Sequence, residues 1–131
     1  MKHSLPILIS VLATIALAVA CKPDATPKAK DAEAWVNTFY THYTIRGGWG
    51  FFGAKAKDDN VEIEINVPEG QANDLIKFTQ DDREKFIARN ACPPLSEGIW
   101  SILDDNGDLI IHARQSGNTF AEVSCRQHRG L

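Results

Sequence analysis

Apolar residues follow three different spacings along this chain. From Leu5 to Val19 they run almost unbroken. From Trp35 to Tyr43 they recur every three or four positions, and from Val61 to Val67 they alternate with Glu62, Glu64 and Asn66. The first run follows a short basic start and ends in small residues, the order of a secretory signal; it is too short for a permanent span. The second predicts an amphipathic helix, N-capped by Asp31 and ending near Gly47, with Trp35, Val36, Phe39, Tyr40 and Tyr43 on one side. That aromatic stripe is expected to pack on a sheet. The third is the pattern of a half-buried strand.

A partner for that strand precedes it. With Asp59-Asn60 as a two-residue turn, Lys57 faces Glu62 and Lys55 faces Glu64, while Ala56 faces Ile63 and Ala54 faces Ile65. Charges then pair on one face and apolar groups on the other. A slip of one residue would set Lys55 against Ile63, so the faces are well specified.

Beyond Pro68, Leu75 to Phe78 fits a short strand or a helical turn, and the pattern leaves both open. Thr79 is the N-cap of a second helix, with Asp81, Asp82 and Glu84 suited to its positive end and Phe86, Ile87 and Ala91 on its apolar side. Pro93-Pro94 stops it. In the last third, Asn106-Gly107 between apolar runs is a type I′ hairpin signal that would set Ile102 against Ile111 and Trp100 against Ala113. A three-residue loop, Ser116 to Asn118, would then place Ile111 opposite Val123 and Leu109 opposite Cys125. The sum is an α+β domain: an antiparallel sheet of four to six strands, two helices packed on one face, and one disulfide.

The residues closing the first apolar run, Ala18-Val19-Ala20-Cys21, change the picture of where the chain resides. A Cys directly after small residues resembles the lipobox of bacterial lipoproteins, with Ala18 where that motif more often has Leu. The resemblance implies cleavage before Cys21 and acylation of its sulfur and amino group. Two or three acyl chains anchor stably where one would not, each buried methylene contributing ~0.8 kcal/mol. Lys22 follows in place of the Asp that would retain such a protein at the inner membrane. The expected location is therefore the periplasmic side of the outer membrane. The chain divides into a cleaved signal peptide (1–20), a lipidated Cys with a Pro-, Ala- and Lys-rich tether (21–31), and a single periplasmic domain (32–131).

Loss of Lys2 with the signal leaves 13 basic against 17 acidic residues, a net charge of −4. That balance argues against nucleic acid and a polybasic membrane surface as partners. Cys92 and Cys125 remain, and two thiols in a small exported domain usually pair. They lack a C-x-x-C arrangement, so the bond is expected to be structural.

Motifs for chemistry are weak. Asp104 to Asp108 has acids at alternate positions, but a calcium loop begun at Asp104 would put Leu109 and Gln115 where Gly and Glu are needed. The hairpin turn accounts for the same residues without a metal. His112 opposite Glu122 could form a general-base pair, the basis of an enzyme reading, or a plain cross-strand pair. His42 and His128 are isolated. No cofactor is implied.

The most unusual segment runs from Gly47 to Gly53, with four glycines around Trp49, Phe51 and Phe52. Glycines there permit bulges, and aromatics of this kind are enriched at interface hot spots. Strand alternation puts Phe52 on the core side and leaves Trp49 and Phe51 with Lys55 and Lys57 in solvent, unless a bulge reverses the parity. Trp49, Phe51 and Phe52 are the candidate partner-binding residues. The expected function is protein binding, in a lipoprotein that resembles, at the level of class, envelope immunity proteins, inhibitors or pilotin-like assembly factors. The alternative is a binder of a small apolar or lipid ligand between helices and sheet, with the first helix's stripe lining the cavity.

Cys21→Ser is expected to leave the protein unprocessed or unanchored while its domain still folds. Metabolic labelling with a palmitate analogue checks this, and full labelling of the variant would refute it.

Overall fold

Thr26 has extended backbone, its hydroxyl accepts from the Ala29 N–H, and Pro27 follows at a position where no helical donor is lost. Together they start helix α1 (Pro27–His42) in the computed structural model of this protein, which describes residues 25–131. The cap is thus Thr26 and not Asp31. Ala25 bridges to Asp58, and Ala25, Ala29 and Ala56 form a small buried cluster. Residues 25–31, expected as tether, therefore belong to the domain. The signal peptide, Cys21 and residues 22–24 lie outside the described residues.

Strands β1 (Gly50–Lys57) and β2 (Asn60–Asn66) form the first hairpin around Asp58 and Asp59. Lys55 pairs with Glu62, Ala56 with Val61 and Ala54 with Ile63. This register is two residues from the expected one. An even shift returns every side chain to the same face, so the charged and apolar faces come out as anticipated. β1 is an edge strand, yet its edge is occupied. The Ala56 N–H donates to Glu33 Oε2 of α1 at 2.6 Å, and the Thr26 N–H donates to the Asp58 carbonyl at 2.8 Å.

From β2 the chain passes into α2 (Glu69–Ile76), so the ambiguous stretch at Leu75 is helical. Helix α3 (Gln80–Ala91) starts as expected, Thr79 Oγ1 accepting from the Asp82 N–H, and Cys92 ends it before Pro93. Ile99–Leu103 then forms a short helix, α4. This corrects the expected hairpin about Asn106-Gly107. A run of five mostly apolar residues suits helix or strand alike, and here Ile99 and Leu103, one turn apart, are both buried. Gly107 serves close approach instead of a type I′ turn. A Cβ on it would lie 2.6 Å from the Asp59 carbonyl oxygen and 2.8 Å from Leu103 Cδ2.

Strands β3 (Leu109–Gln115) and β4 (Asn118–Ser124) make the second hairpin, and α5 (Cys125–Arg129) closes the chain. The turn is two residues, Ser116 and Gly117, both at positive φ. A bulge at Phe120 supplies the extra residue that the longer expected loop would have given. Ile111 still faces Val123, and His112 still faces Glu122.

The sheet has four strands in the order β1-β2-β3-β4. Both hairpins are antiparallel, but β2 and β3 run parallel, Ile63 beside Ile111 and Ile65 beside Ala113. The expected all-antiparallel sheet is therefore a mixed one, and the described residues hold five helices where two were expected. The α+β class stands. Helices α1 and α3 pack on the sheet, over Val61, Ile63, Ile65, Leu109, Ile111 and Val123, all fully buried. Each such side chain contributes ~1.5–3 kcal/mol by leaving water. Buried among them, the Tyr40 hydroxyl donates to the Ala91 carbonyl, and desolvation pushes its pKa far above the ordinary tyrosine range. Among the described residues no helix is long and apolar enough to cross a membrane.

Cys92 and Cys125 form a disulfide that ties the end of α3 to the start of α5, with Cα atoms 5.5 Å apart. Arg129 reinforces the same junction, its Nη2 donating to the Cys92 carbonyl at 2.6 Å. Removing the bond with Cys92→Ala and Cys125→Ala is expected to lower stability by ~2–5 kcal/mol. Denaturant titration of variant and parent checks this, and coincident curves would deny the bond a structural role.

Candidate functional site

Gly47 and Gly48 both sit at positive φ, which lets the chain leave α1 and turn sharply into β1. Trp49 follows and folds back under the turn, only 5% exposed. Its indole N–H donates to Gln71 Oε1 at 2.7 Å, while Gln71 Nε2 donates to the Gly47 carbonyl at 2.7 Å. One glutamine of α2 thus satisfies the buried indole and pins the glycine turn. Phe86 of α3 lies 6.2 Å from the Trp49 ring, and Phe78 lies 6.3 Å beyond it.

The aromatic parity is the reverse of that expected. Phe51 pairs with Ile65 and Gly53 with Glu64, so Phe52 is the extra residue of a bulge. Phe51 turns inward, stacks on Tyr40 at 4.9 Å and packs against the core. Phe52 turns outward and is 75% exposed. Of the three candidate partner-binding residues, Trp49 and Phe51 are therefore internal and Phe52 alone stands in solvent. It lines a groove of about 280 Å³ with Asn66, Arg114 and Gly117.

The strand registers show which features share an end of the sheet. Gly50 lies beside Asn66, Asn66 beside Arg114, and Arg114 beside Thr119. Phe52 and the Trp49 turn thus sit at one pole, and Ala25 and Asp58 sit at the other. The second pole is rich in Asp: Asp58 and Asp59 form its turn, the Asp59 carbonyl lies against Gly107, and Lys28 of α1 pairs with Asp104. At the first pole, on the helical side, Arg46 and Arg89 flank Trp49 and Phe86 in a groove of about 290 Å³. Neither arginine was singled out from the sequence. Arg46 borders the glycine-rich segment and could have been noticed; Arg89 is brought there by the packing of α3, which no local pattern encodes.

The sheet's outer face carries no helix. His112 lies between two carboxylates, 3.8 Å from Glu62 and 3.8 Å from Glu122, beside an Arg114–Glu64 ion pair at 2.9 Å. The groove there, about 370 Å³, is lined by Lys55, Glu62, Glu64, His112 and Thr119. The expected His112–Glu122 pair thus exists, with Glu62 as a further neighbour. His42 sits on α1, and His128 lies 3.5 Å from Glu84, so the histidines do not converge. Among the described residues no group of three or more His, Cys, Asp or Glu side chains could hold a metal ion. Asp108 is engaged in the fold instead. Its carboxylate accepts from the N–H groups of Leu109 at 2.7 Å and Arg126 at 2.8 Å, and from the Ser124 hydroxyl.

The α1 stripe divides. Val36 and Tyr40 are core residues, whereas Trp35, Phe39 and Tyr43 stack on each other at 4.8 Å intervals outside it. The groove they line, with Thr38 and His42, is formed by α1 and Tyr43 alone, not between helices and sheet. No protein-family model, curated protein or solved structure matches this chain.

Trp49→Ala is expected to destabilise the domain by ~3–5 kcal/mol, as for other buried aromatics, whereas Phe52→Ala should stay within ~0.5 kcal/mol of the parent. Urea denaturation of the two variants checks the assignment, and equal losses at both positions would contradict it.

Proposed function

We propose that this protein is a lipoprotein of the bacterial envelope, anchored through Cys21 on the periplasmic side of the outer membrane, and that its domain binds another protein in an inhibitory, immunity or assembly role. The observation that carries the binding half is Phe52. A phenylalanine three-quarters exposed at the rim of a groove offers a partner an apolar aromatic anchor of the kind enriched at interfaces. Arg114 beside it, held by Glu64 and the Gly117 carbonyl, adds a fixed polar group of the kind enriched at such sites.

Position supports the same reading. The described chain begins at the Asp-rich pole, and Phe52 lies at the opposite one. Only Lys22, Pro23 and Asp24 separate Cys21 from Ala25, a reach of at most ~14 Å. The domain of an anchored molecule would therefore rest close to the bilayer and not on a long tether. The height of Phe52 above the lipid would come from the strands, ~20 Å for the six residue steps from Asp58 to Phe52. A partner on the aqueous side could then reach it unobstructed.

The test is a photo-crosslinking residue placed at Phe52, or at Lys57 near the Asp-rich pole, in the full-length protein within intact cells. A discrete protein adduct from position 52, with none from position 57, is the expected result. Adducts from position 57 alone, or from neither, would overturn the reading.

A further inference from the structure

The arginines of this domain fall into two sets. Arg83 donates to the Leu75, Ile76 and Phe78 carbonyls, Arg126 to the Gly107 and Asp104 carbonyls, and Arg129 to those of Pro93 and Cys92. Arg114 pairs with Glu64. Arg46 and Arg89 have no such occupation: among the described residues neither guanidinium donates a hydrogen bond or has a carboxylate within 4.0 Å. In a chain with 17 acidic residues against 14 basic ones, two guanidinium groups left over in one groove form a local excess of positive charge.

We propose that this groove receives an acidic peptide segment of the protein partner, carboxylates meeting Arg46 and Arg89 and an apolar side chain resting on the exposed Phe86 ring, which the buried Trp49 backs. The proposal rests on the protein-binding reading above and names the partner's chemistry. Guanidinium groups bind carboxylates through paired, charge-assisted hydrogen bonds, which favours an acidic occupant over a neutral one. The aromatic wall favours a peptide over a bare anion, since an inorganic ion would leave it unused. Asn90 adds an acceptor: its Nδ2 donates to the Phe86 carbonyl at 2.8 Å, leaving Oδ1 for an incoming backbone N–H. At about 290 Å³ the groove holds one or two side chains, so it reads a segment and not a folded surface. The floor is preformed, because Gln71 fixes both the indole and the glycine turn, and little ordering remains to be done on binding. The groove also shares a pole with Phe52, so one partner could cover both.

The probe is a fluorescein-labelled peptide of alternating Glu and Phe, titrated by anisotropy against the purified full-length protein in detergent. Saturable binding is expected, weakened at least about tenfold by replacing the peptide's Glu with Gln. A similar loss is expected with the R46Q/R89Q double variant, whose melting temperature should match the parent's because both side chains are exposed. Absence of binding, equal binding of the Glu and Gln peptides, undiminished binding by the double variant, or full displacement by equimolar inorganic phosphate would overturn the proposal. In cells, loss of the position-52 adduct in R46Q/R89Q supports it. Retention of that adduct removes the acidic segment while leaving the protein-binding reading intact.

Discussion

The parallel pairing of β2 with β3 decides most of what surrounds it. Two antiparallel hairpins can be laid side by side with facing strands running either way. Here Ile63 meets Ile111 in parallel. Parallel neighbours cannot be joined by a tight turn, so the chain must return from one end of the sheet to the other. Residues 67–108 make that return, and α2, α3 and α4 are its substance. With these helices and α1 on one face, the other face stays open to water. The same pairing gathers the first hairpin's turn and the entry to β3 at one pole, and the Trp49 turn and the Ser116-Gly117 turn at the other.

What the sequence made legible was local or periodic. Strict alternation from Val61 to Val67 gave a strand with the correct face inward, and an even error of register did that face no harm. Thr79 followed by Asp82 marked a helix start, and Cys92 met Cys125 as expected of the two thiols of a small domain read as exported. What stayed illegible depended on tertiary choice. Ile99 to Leu103 carries no period that separates strand from helix, so its role was settled by how Ile99 and Leu103 bury together. The aromatic segment failed on one residue: a bulge at Phe52 reversed the parity of Phe51, and Gln71, distant in sequence, made a home for the Trp49 indole. Arg89 reaches the candidate site only through the seating of α3.

Arginine is used here largely as a cap. Helix C-termini leave carbonyls without partners, and glycine in a left-handed turn is the common remedy. Among the described residues only α5 ends that way, at Gly130. Elsewhere Arg83 closes α2 and Arg129 closes α3 by reaching across the structure to the exposed carbonyls, and Arg126 does the same for the loop after α4. Each contact joins two elements as well as satisfying an oxygen. The charge of these three side chains is thereby absorbed into the frame, and the two arginines not so used stand apart chemically.

The treatment of the sheet's edges bears on how copies of this chain tolerate one another. An open strand edge is a template on which a second chain can add, and high local concentration sharpens that hazard. The edge of β1 is blocked at its Ala56 end by Glu33 and by the residues entering α1 and is bulged at Phe52 near the other, and β4 is interrupted by its bulge at Phe120. Neither side presents a long regular ladder for edge-to-edge growth. Copies of this domain could therefore be crowded together while each keeps its own sheet intact.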